Sequence, residues 1–276
     1  MSDLDSSSLL PRLVEVVHQA GEMVLKGWSA AKEVRFKGRI DLVTETDVAV
    51  EDFLRVQLAQ LLPQAGFLAE ETASRTELGT MTWVVDPLDG TVNFAHQLHH
   101  VAISAALWHH GAIEMGVVAL PLLGETFTAI RGQGAWLNDD PIQTTGTTDL
   151  EHALVATGFP YTIQDELDQV MPCLRAVLSR CRGVRRLGAA AVDLAYTACG
   201  RLDGFYEKGL KPWDTAAGWL LVEEAGGRVS RFDSPQPYSL DSGTILASNG
   251  PLHAKLFELL DRGLAEVHPS SIGRDA

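Results

Sequence analysis

Two carboxylates follow an apolar run in the sequence W-V-V-D-P-L-D-G-T, residues 83–91. The run predicts a buried β-strand, and because Pro87 fixes its φ near about −65° and lacks an N–H group, we expect the chain to leave the sheet there. Asp86 and Asp89 would then share one small turn, where they repel each other unless a cation lies between them or one takes up a proton. The alternative is an Asx-type turn whose acids are solvated.

Further acids that end a strand or open a helix favour the cation. Residues 66–69 read as a short apolar strand that ends in Glu70-Glu71, and Asp214 lies in the first turn of a helix predicted from residue 212. Asp47 lies in the first turn of another predicted helix, where capping and the helix dipole also explain an acid. Hard divalent cations such as Mg²⁺ prefer oxygen ligands of this kind. Four clustered carboxylates would suffice for two or three Mg²⁺ ions.

Histidines offer a competing metal site of a different type, since transition metals prefer imidazole or thiolate ligands. The sequence contains the histidines His96, His99, His100, His109 and His110. His109 and His110 fall in a predicted hairpin turn before Gly111, and the sequence has no H-E-x-x-H motif. We therefore interpret these histidines as surface residues.

The composition is that of a globular protein with an acidic surface. The 276 residues are 46% hydrophobic and carry a formal net charge of −14, which argues against nucleic acid as a partner and suits cation binding or solubility alone. No apolar run reaches about 18 residues, and the N-terminus is acidic, so we expect no membrane span and a cytoplasmic location. Three cysteines without metal-type spacing predict reduced thiols.

The predicted elements divide the chain into two halves. In the first, amphipathic helices at 9–28 and 45–62 precede a largely antiparallel set of strands between residues 101 and 137. In the second, strands and helices alternate, as in α/β proteins. A polar connection at 144–149 marks the boundary, so we predict an N-terminal α+β domain of residues 1–147 and a C-terminal α/β domain of residues 148–276.

Four separated motifs in this order resemble the inositol monophosphatase family. They are D-L-V-T-E-T-D at 41–47, the pair Glu70-Glu71, W-x-x-D-P-L-D-G-T-x-N-F at 83–94, and W-D-x-A-A-G at 213–218 followed by E-A-G-G at 224–227. The resemblance covers residues 37 to 230. It implies the layered αβαβα sandwich of the sugar phosphatases, a homodimer, and a lithium-sensitive phosphoric monoester hydrolase with two or three Mg²⁺ ions per active site.

The resemblance also implies a set of metal ligands. Glu70, Asp86 and the carbonyl of Leu88 would hold the activating Mg²⁺. Asp86, Asp89 and Asp214 would hold a second ion, and Glu70 would contribute to a third, weaker one. Paired ions of this kind clamp the attacking and leaving oxygens of a displacement at phosphorus.

Catalytic roles follow from the same resemblance. Glu70 together with Thr91 would orient the water that Mg²⁺ activates or accept its proton, while Asp47 would accept a hydrogen bond from Thr91 and make its hydroxyl oxygen a better acceptor. Gly90 and Thr91 precede a predicted short helix, and their N–H groups would bind phosphate oxygens. No covalent phospho-enzyme is needed.

Substrate contacts are implied by two further stretches. Glu207 stands where family members place an acid that binds inositol hydroxyls, and R-R-L-G-A-A at 185–190, with Arg186 and Ala190, resembles the segment lining the same pocket. Ala69 replaces a glycine common before the paired glutamates, and Ala189 stands where a serine or threonine is usual, which removes a hydroxyl. Lys37 is a counterpart of the family's lysine before the first motif.

We therefore predict Mg²⁺-dependent hydrolysis of inositol monophosphate or a related small sugar or polyol phosphate. Fructose-1,6-bisphosphatase and histidinol-phosphatase are alternatives within the family. A 3′-phosphoadenosine nucleotide phosphatase ranks lower, because those enzymes show D-G-T-K-G-F where this chain has D-G-T-V-N-F. An alternative of another class is a regulatory or interaction protein that retains the fold.

Overall fold

The computed structural model describes residues 5–30, 34–36, 42–73 and 76–265. Its helices are α1 (Ser6–Ser29), α2 (Glu45–Leu61), α3 (Thr91–Ala95), α4 (Ile163–Leu178), α5 (Ala190–Ala198), α6 (Pro212–Glu224) and α7 (Gly250–Ala265). Its strands are β1 (Val34–Phe36), β2 (Leu42–Thr44), β3 (Gly66–Ala69), β4 (Met81–Asp89), β5 (Ala102–His109), β6 (Ala112–Leu120), β7 (Glu125–Ile130), β8 (Gly134–Leu137), β9 (Asp140–Pro141), β10 (Leu154–Thr157), β11 (Gly183–Arg185), β12 (Gly204–Lys208), β13 (Gly227–Ser230) and β14 (Thr244–Asn249). Lys37 and Asp41, which the family motifs include, lie outside the described residues.

The larger sheet has the strand order β3-β4-β5-β6-β7-β8-β9. Its neighbouring strands are antiparallel except β3 and β4, which run parallel with Ala69 opposite Val85. Because parallel strands end at the same edge of a sheet, the residues that follow Ala69 and Val85 emerge side by side. The predicted antiparallel meander is confirmed, and the parallel pair is what brings two acids together.

Alternation along β4 directs side chains to two separate cores. Trp83 and Val85 pack with the apolar faces of α1 and α2, whereas Val84 packs with α5 and α6 on the opposite face. Helix α2 begins at a capping box, in which the Thr44 hydroxyl accepts the N–H of Thr46 and the Asp47 carboxylate accepts the N–H of Thr44. The acid predicted in this first turn is therefore part of the cap.

A second sheet, in the order β11-β10-β12-β14-β13, packs on the other side of α5 and α6. Its outer face is covered by α4 and α7, through contacts such as Val155 and Leu246 with Val177 and Leu256. The layers are thus helices, sheet, helices, sheet, helices. This confirms the predicted αβαβα sandwich with N-terminal helices on a mainly antiparallel sheet.

Two details differ from the sequence prediction. The chain does not leave the sheet at Pro87: β4 continues to Asp89, which pairs with Ala102, and the register shifts between Asp86 and Asp89. The irregularity accommodates the missing N–H of proline within the strand. The second sheet is mixed, because β10 is parallel to β11 and β12 while β14 is antiparallel to β12 and β13.

The division into domains at residues 147 and 148 stays a prediction. One hydrophobic core cluster contains residues of both sheets, such as Val84 and Phe205.

Within the described residues no helix is long and apolar enough to cross a membrane. The three cysteines are free.

The contact of α6 with the larger sheet depends on Gly116 of β6. A Cβ at this position would lie 2.9 Å from the Cα of Ala217, closer than packed atoms tolerate. We expect Gly116→Ala to lower the free energy of unfolding by about 1–3 kcal/mol, measured by urea denaturation. Gly146→Ala is the matched control, because nothing lies within 4 Å of its added Cβ. Equal stability of the two variants would contradict this account of the packing.

Candidate active site

Three carboxylates meet where β3 and β4 end and α6 begins. Glu70 directly follows β3, Asp86 follows Val85 in β4, and Asp214 is the third residue of α6. Each offers an oxygen atom, and these oxygens all lie within 4.8 Å of one another. Asp214 is held by its own cap, since its Oδ2 accepts the N–H of Lys211 at 2.7 Å. The structure therefore brings together acids that lie far apart in sequence, since 144 positions separate Glu70 from Asp214.

Asp86 and Asp89 are also held by backbone donors. The Oδ1 of Asp86 accepts the N–H of Leu88 at 3.0 Å, which closes the turn around Pro87. The Oδ2 of Asp89 accepts the N–H of Ala191 at 2.7 Å, at the N-terminus of α5. Because α5 packs between the sheets, Asp89 ties the bulged end of β4 to the second half of the chain.

Burial and mutual repulsion disfavour the ionised form of several acids in this cluster. Burial raises the pKa of Asp86 well above its usual range, and the charges of Glu70, Asp89 and Asp214 raise it further. The pKa of Asp214 is raised in the same way, first by burial and then by Glu70. Burial raises the pKa of Asp89 to about 7, against the opposing hydrogen bond from Ala191. Either a bound cation or protonation of the acids would relieve this repulsion.

The chemical type of the ligand atoms indicates which cation the cluster would bind. Among the described residues the group consists only of carboxylates, with no imidazole or thiolate. Oxygen donors of this density suit hard divalent cations such as Mg²⁺ rather than zinc or copper. The residues present therefore fit the metal that the sequence predicted.

Asp47 and Thr91 form a hydrogen-bonded pair beside these acids. The Thr91 hydroxyl donates to Oδ1 of Asp47 at 2.8 Å and lies 3.2 Å from the carbonyl oxygen of Leu88. Asp47 is 1% exposed, and burial raises its pKa although hydrogen bonds from Thr44 and Thr91 oppose the rise. Since the Thr91 proton is directed to Asp47, a lone pair of the Thr91 oxygen remains to accept a hydrogen bond from water.

Gly90 has a backbone conformation that requires glycine. Its φ is +89°, and a Cβ there would lie 2.8 Å from the carbonyl oxygen of His100. The turn leads into α3, whose first hydrogen bond runs from the N–H of Phe94 to the carbonyl of Gly90 at 2.9 Å. This turn orients the N–H groups of Gly90 and Thr91 at the start of the helix.

The predicted substrate residues lie around Glu207, a further acid on β12. Its carboxylate packs closely against Gly158: a Cβ added to Gly158 would lie 2.1–2.2 Å from the carboxylate atoms of Glu207. Burial raises the pKa of Glu207 to about 8, an effect that the positive charge of Arg186 opposes and the charge of Asp89 reinforces. The guanidinium of Arg186 is exposed and lies 5.7 Å from the centre of the Phe159 ring. Ala190 is buried, and its N–H is directed at Asp89.

Two residues near the site were not assigned a role from the sequence. The side-chain amide of Asn93 donates to the carbonyls of His100 at 2.7 Å and Leu187 at 2.8 Å, which joins the loop after β4 to the segment carrying Arg186. Asn93 belongs to the D-P-L-D-G-T-V-N-F motif, and this was the only signal for it. Asp193 on α5 is 1% exposed, and its Oδ1 has no hydrogen-bond partner among the described residues. No local pattern distinguished Asp193 from a capping acid.

Comparisons with known proteins agree with this geometry. The sequence model of the inositol monophosphatase family matches residues 5–265. An inositol-1-monophosphatase of Mesorhizobium japonicum is 38% identical over 262 residues, which cover 94% of this chain and 98% of that protein. The Nus factor SuhB of Escherichia coli is 41% identical over 241 residues, covering 86% and 89%. The crystal structure of the extragenic suppressor protein suhB from Bartonella henselae superposes with a TM-score of 0.87 at 36% identity, covering 93% of this chain and 99% of that chain.

The raised pKa values predict how stability depends on pH. Between the usual pKa of 3.8 and the folded pKa of about 7, Asp89 retains a proton in the folded chain that the unfolded chain has released. The metal-free protein should therefore lose stability as the pH rises through this window. Because Mg²⁺ bound at this cluster would replace the proton, we expect millimolar Mg²⁺ to raise Tm by roughly 5 °C near pH 8 and far less near pH 5. Thermal unfolding in EDTA or Mg²⁺ measures this, and equal shifts at both pH values would contradict it.

Proposed function

The chain belongs to the inositol monophosphatase family, and on this premise we propose that it hydrolyses inositol monophosphate or a related small sugar or polyol phosphate in a Mg²⁺-dependent reaction. It is a phosphoric monoester hydrolase. The observation that carries the proposal is the convergence of Glu70, Asp86 and Asp214 within 4.8 Å at the edge of the larger sheet. Acids that repel one another at this distance, one of them buried and two half-buried, form a site for cations.

The proposed ligands divide between two principal ions. Glu70, Asp86 and the carbonyl of Leu88 would hold the first, while Asp86, Asp89 and Asp214 would hold the second, with Glu70 contributing to a third. When bound, Mg²⁺ lowers the pKa of the attacking water and neutralises charge on the phosphoryl and leaving oxygens. Support comes from the placement of these groups at the end of β4 and the start of α6.

The chain's own groups orient the attack. Thr91, whose proton is directed to Asp47, accepts a hydrogen bond from the attacking water, and Glu70 takes up the proton that this water loses. The water oxygen forms a bond to phosphorus as the bond from phosphorus to the ester oxygen breaks. The departing alkoxide takes its proton from solvent. The N–H groups of Gly90 and Thr91 hold phosphoryl oxygens at the start of α3.

On the substrate side, Glu207 accepts hydrogen bonds from hydroxyl groups of the polyol, with Arg186 and Ala190 beside it. Ala189 contributes no hydroxyl, and its Cβ instead packs near Gly90, 3.2 Å from where a Cβ of that residue would lie. The name inositol-1-monophosphatase borne by relatives 38% and 40% identical favours an inositol phosphate. Fructose 1,6-bisphosphate and histidinol phosphate remain the alternatives for the same site.

A second candidate function is an interaction or regulatory role for the same fold. It is favoured by the name Nus factor SuhB that relatives 40% and 41% identical carry. The two functions are separable by assay. A folded protein that hydrolyses no member of a broad phosphate-ester panel in millimolar Mg²⁺ would favour the interaction role.

Asp89→Asn and Asp214→Asn test the proposed metal site. Each removes a negative charge from the cluster, so we expect turnover to fall by roughly 100-fold or more while the protein stays folded. The Tm of each variant in EDTA should be unchanged or higher, since the repulsion among the carboxylates of the cluster is reduced. Phosphate release from inositol phosphates, fructose 1,6-bisphosphate, histidinol phosphate and nucleotides provides the measurement. The same assay measures the lithium inhibition that the family resemblance leads us to expect.

Asp139→Asn is the control, because it makes the same substitution on an exposed residue in the turn between β8 and β9. It should retain the activity of the unmodified protein. Near-normal rates from Asp89→Asn or Asp214→Asn would overturn the proposed site. Hydrolysis confined to nucleotides would overturn the proposed substrate class but leave the metal site standing.

We also propose that the protein is a homodimer, on the strength of an apolar stripe on α4. Leu167, Met171 and Leu178 are 48%, 47% and 55% exposed and lie on one side of the helix, with the half-buried Leu174 between them. Val177 faces the core from the other side. A stripe of this kind on a water-exposed helix is typical of an association surface.

Met171→Glu tests the homodimer, because a charge in the centre of the stripe would be desolvated on association. We expect the unmodified protein to sediment as a dimer and Met171→Glu to dissociate at concentrations where the unmodified dimer persists. Asp168→Lys, on another side of the same helix, is the control and should leave the dimer intact. A monomeric unmodified protein, or a dimer unaffected by Met171→Glu, would contradict the assignment of this surface.

A further inference from the structure

A carboxylate outside the acidic cluster is buried almost completely. Glu51 lies on α2 and is 1% exposed. Glutamate is rarely buried to this extent unless its charge is paired and its oxygens accept hydrogen bonds. The partners of Glu51 therefore indicate what it stabilises.

Both carboxylate oxygens of Glu51 have strong partners. Oε2 accepts the backbone N–H of Glu71 at 2.7 Å, and Oε1 accepts from Nη2 of Arg55 at 2.7 Å. The same Nη2 of Arg55 lies 3.0 Å from the Thr72 hydroxyl oxygen, to which it donates. These hydrogen bonds involve ionised groups, which makes them stronger than neutral ones. The Glu51–Arg55 pair thus holds the two residues that follow Glu70.

The segment that carries Glu70 continues past the end of β3 as a turn. Strand β3 ends at Ala69, so the ladder with β4 stops one residue before Glu70. Beyond it the turn is closed by the N–H of Ala73, which donates to the carbonyl of Ala69 at 2.9 Å. The hydrogen bond from the N–H of Glu71 to Glu51 joins this turn to α2 one residue after Glu70.

Glu70 needs such a link because its neighbours repel it. Its carboxylate lies within 4.8 Å of oxygens of Asp86 and Asp214. Negative charges at this distance favour conformations in which Glu70 turns away from the cluster until a cation binds. A backbone fixed in advance reduces the free energy that the cation must supply to bring Glu70 into place.

Helix α2 already supports the site at a second point. Asp47, one helical turn before Glu51, accepts the hydrogen bond from Thr91 at 2.8 Å. Residues four apart lie on the same face of a helix, so both acids face the ends of β3 and β4. One helix face therefore supports the water-orienting residue through Asp47 and the turn of Glu70 through Glu51.

We infer that Glu51 is a positioning residue, which holds the Glu70 turn in place and so sets the affinity of the site for its activating divalent cation. This inference rests on the proposed function, because it takes Glu70 as a ligand. Partners that orient metal ligands commonly change metal affinity by roughly 10–100-fold when they are removed. The effect of losing Glu51 should therefore appear in the Mg²⁺ concentration required for activity.

Glu51→Ala and Glu51→Gln, made in the full chain, test the inference. Phosphatase rates at saturating substrate and the Tm of the substrate-free protein are both measured over a Mg²⁺ titration. For Glu51→Ala we expect the half-saturating Mg²⁺ concentration to rise by roughly 10–100-fold, with the rate at saturating Mg²⁺ within a few-fold of the unmodified value. Glu51→Gln should lie between, because its amide oxygen can still accept the N–H of Glu71 while its NH₂ group faces the Arg55 guanidinium.

Asp52→Asn is the matched control. Asp52 is the next residue on α2 and also pairs with Arg55, at 3.6 Å, but its side chain is 67% exposed and it does not hold the Glu70 turn. It should leave the Mg²⁺ titration unchanged. If Glu51→Ala does not fold, Glu51→Gln and Arg55→Gln provide the same titration, since Arg55 is 40% exposed and its loss should be tolerated.

The outcomes separate this inference from the proposed function. Folded Glu51 variants with an unchanged Mg²⁺ half-saturation, or with lower Tm and lower maximal rate alone, would overturn the positioning role. A Glu70→Gln variant measured in parallel should lose Mg²⁺ activation. Unchanged activation in Glu70→Gln would instead overturn the proposed metal site itself.

Discussion

The repulsion among three carboxylates at one edge of the larger sheet, one buried and two half-buried, is the constraint on which the rest of the site depends. Glu70, Asp86 and Asp214 are held within 4.8 Å although burial and mutual charge raise the pKa values of Asp86 and Asp214. Folding must offset this cost with hydrogen bonds and packing elsewhere. A cation removes the cost, which is why metal binding and stability should be linked.

Backbone groups hold the acids in place from three directions. The N–H of Leu88 binds Asp86, the N–H of Ala191 binds Asp89, and the N–H of Lys211 binds Asp214. Two of these donors lie at helix starts, where N–H groups are unpaired and the helix dipole favours a negative charge. The site therefore uses positions at which each acid is locally stabilised, even though the acids destabilise one another.

The substrate side is built from different interactions. Glu207 is enclosed against Gly158 and opposed by the charge of Arg186, whose guanidinium lies over Phe159. Asn93 joins this side to the metal side through the carbonyls of His100 and Leu187. A shift of either half would thus move Glu207, the proposed polyol-binding acid, relative to the proposed phosphate site, so we expect substrate specificity to depend on the junction of the two sheets.

The sequence by itself determined the elements and the acids at strand ends and helix starts, because hydrophobic periodicity and capping are local properties. Its family resemblance supplied the αβαβα layers and the roles. The tertiary structure decided what depends on pairing between distant segments: the parallel alignment of β3 and β4 that sets Glu70 beside Asp86, and the continuation of β4 past Pro87 to Asp89. It also decided the partners of Asn93 and Glu51, since a hydrogen bond from Glu71 to Glu51 joins groups 20 residues apart and leaves no trace in local spacing.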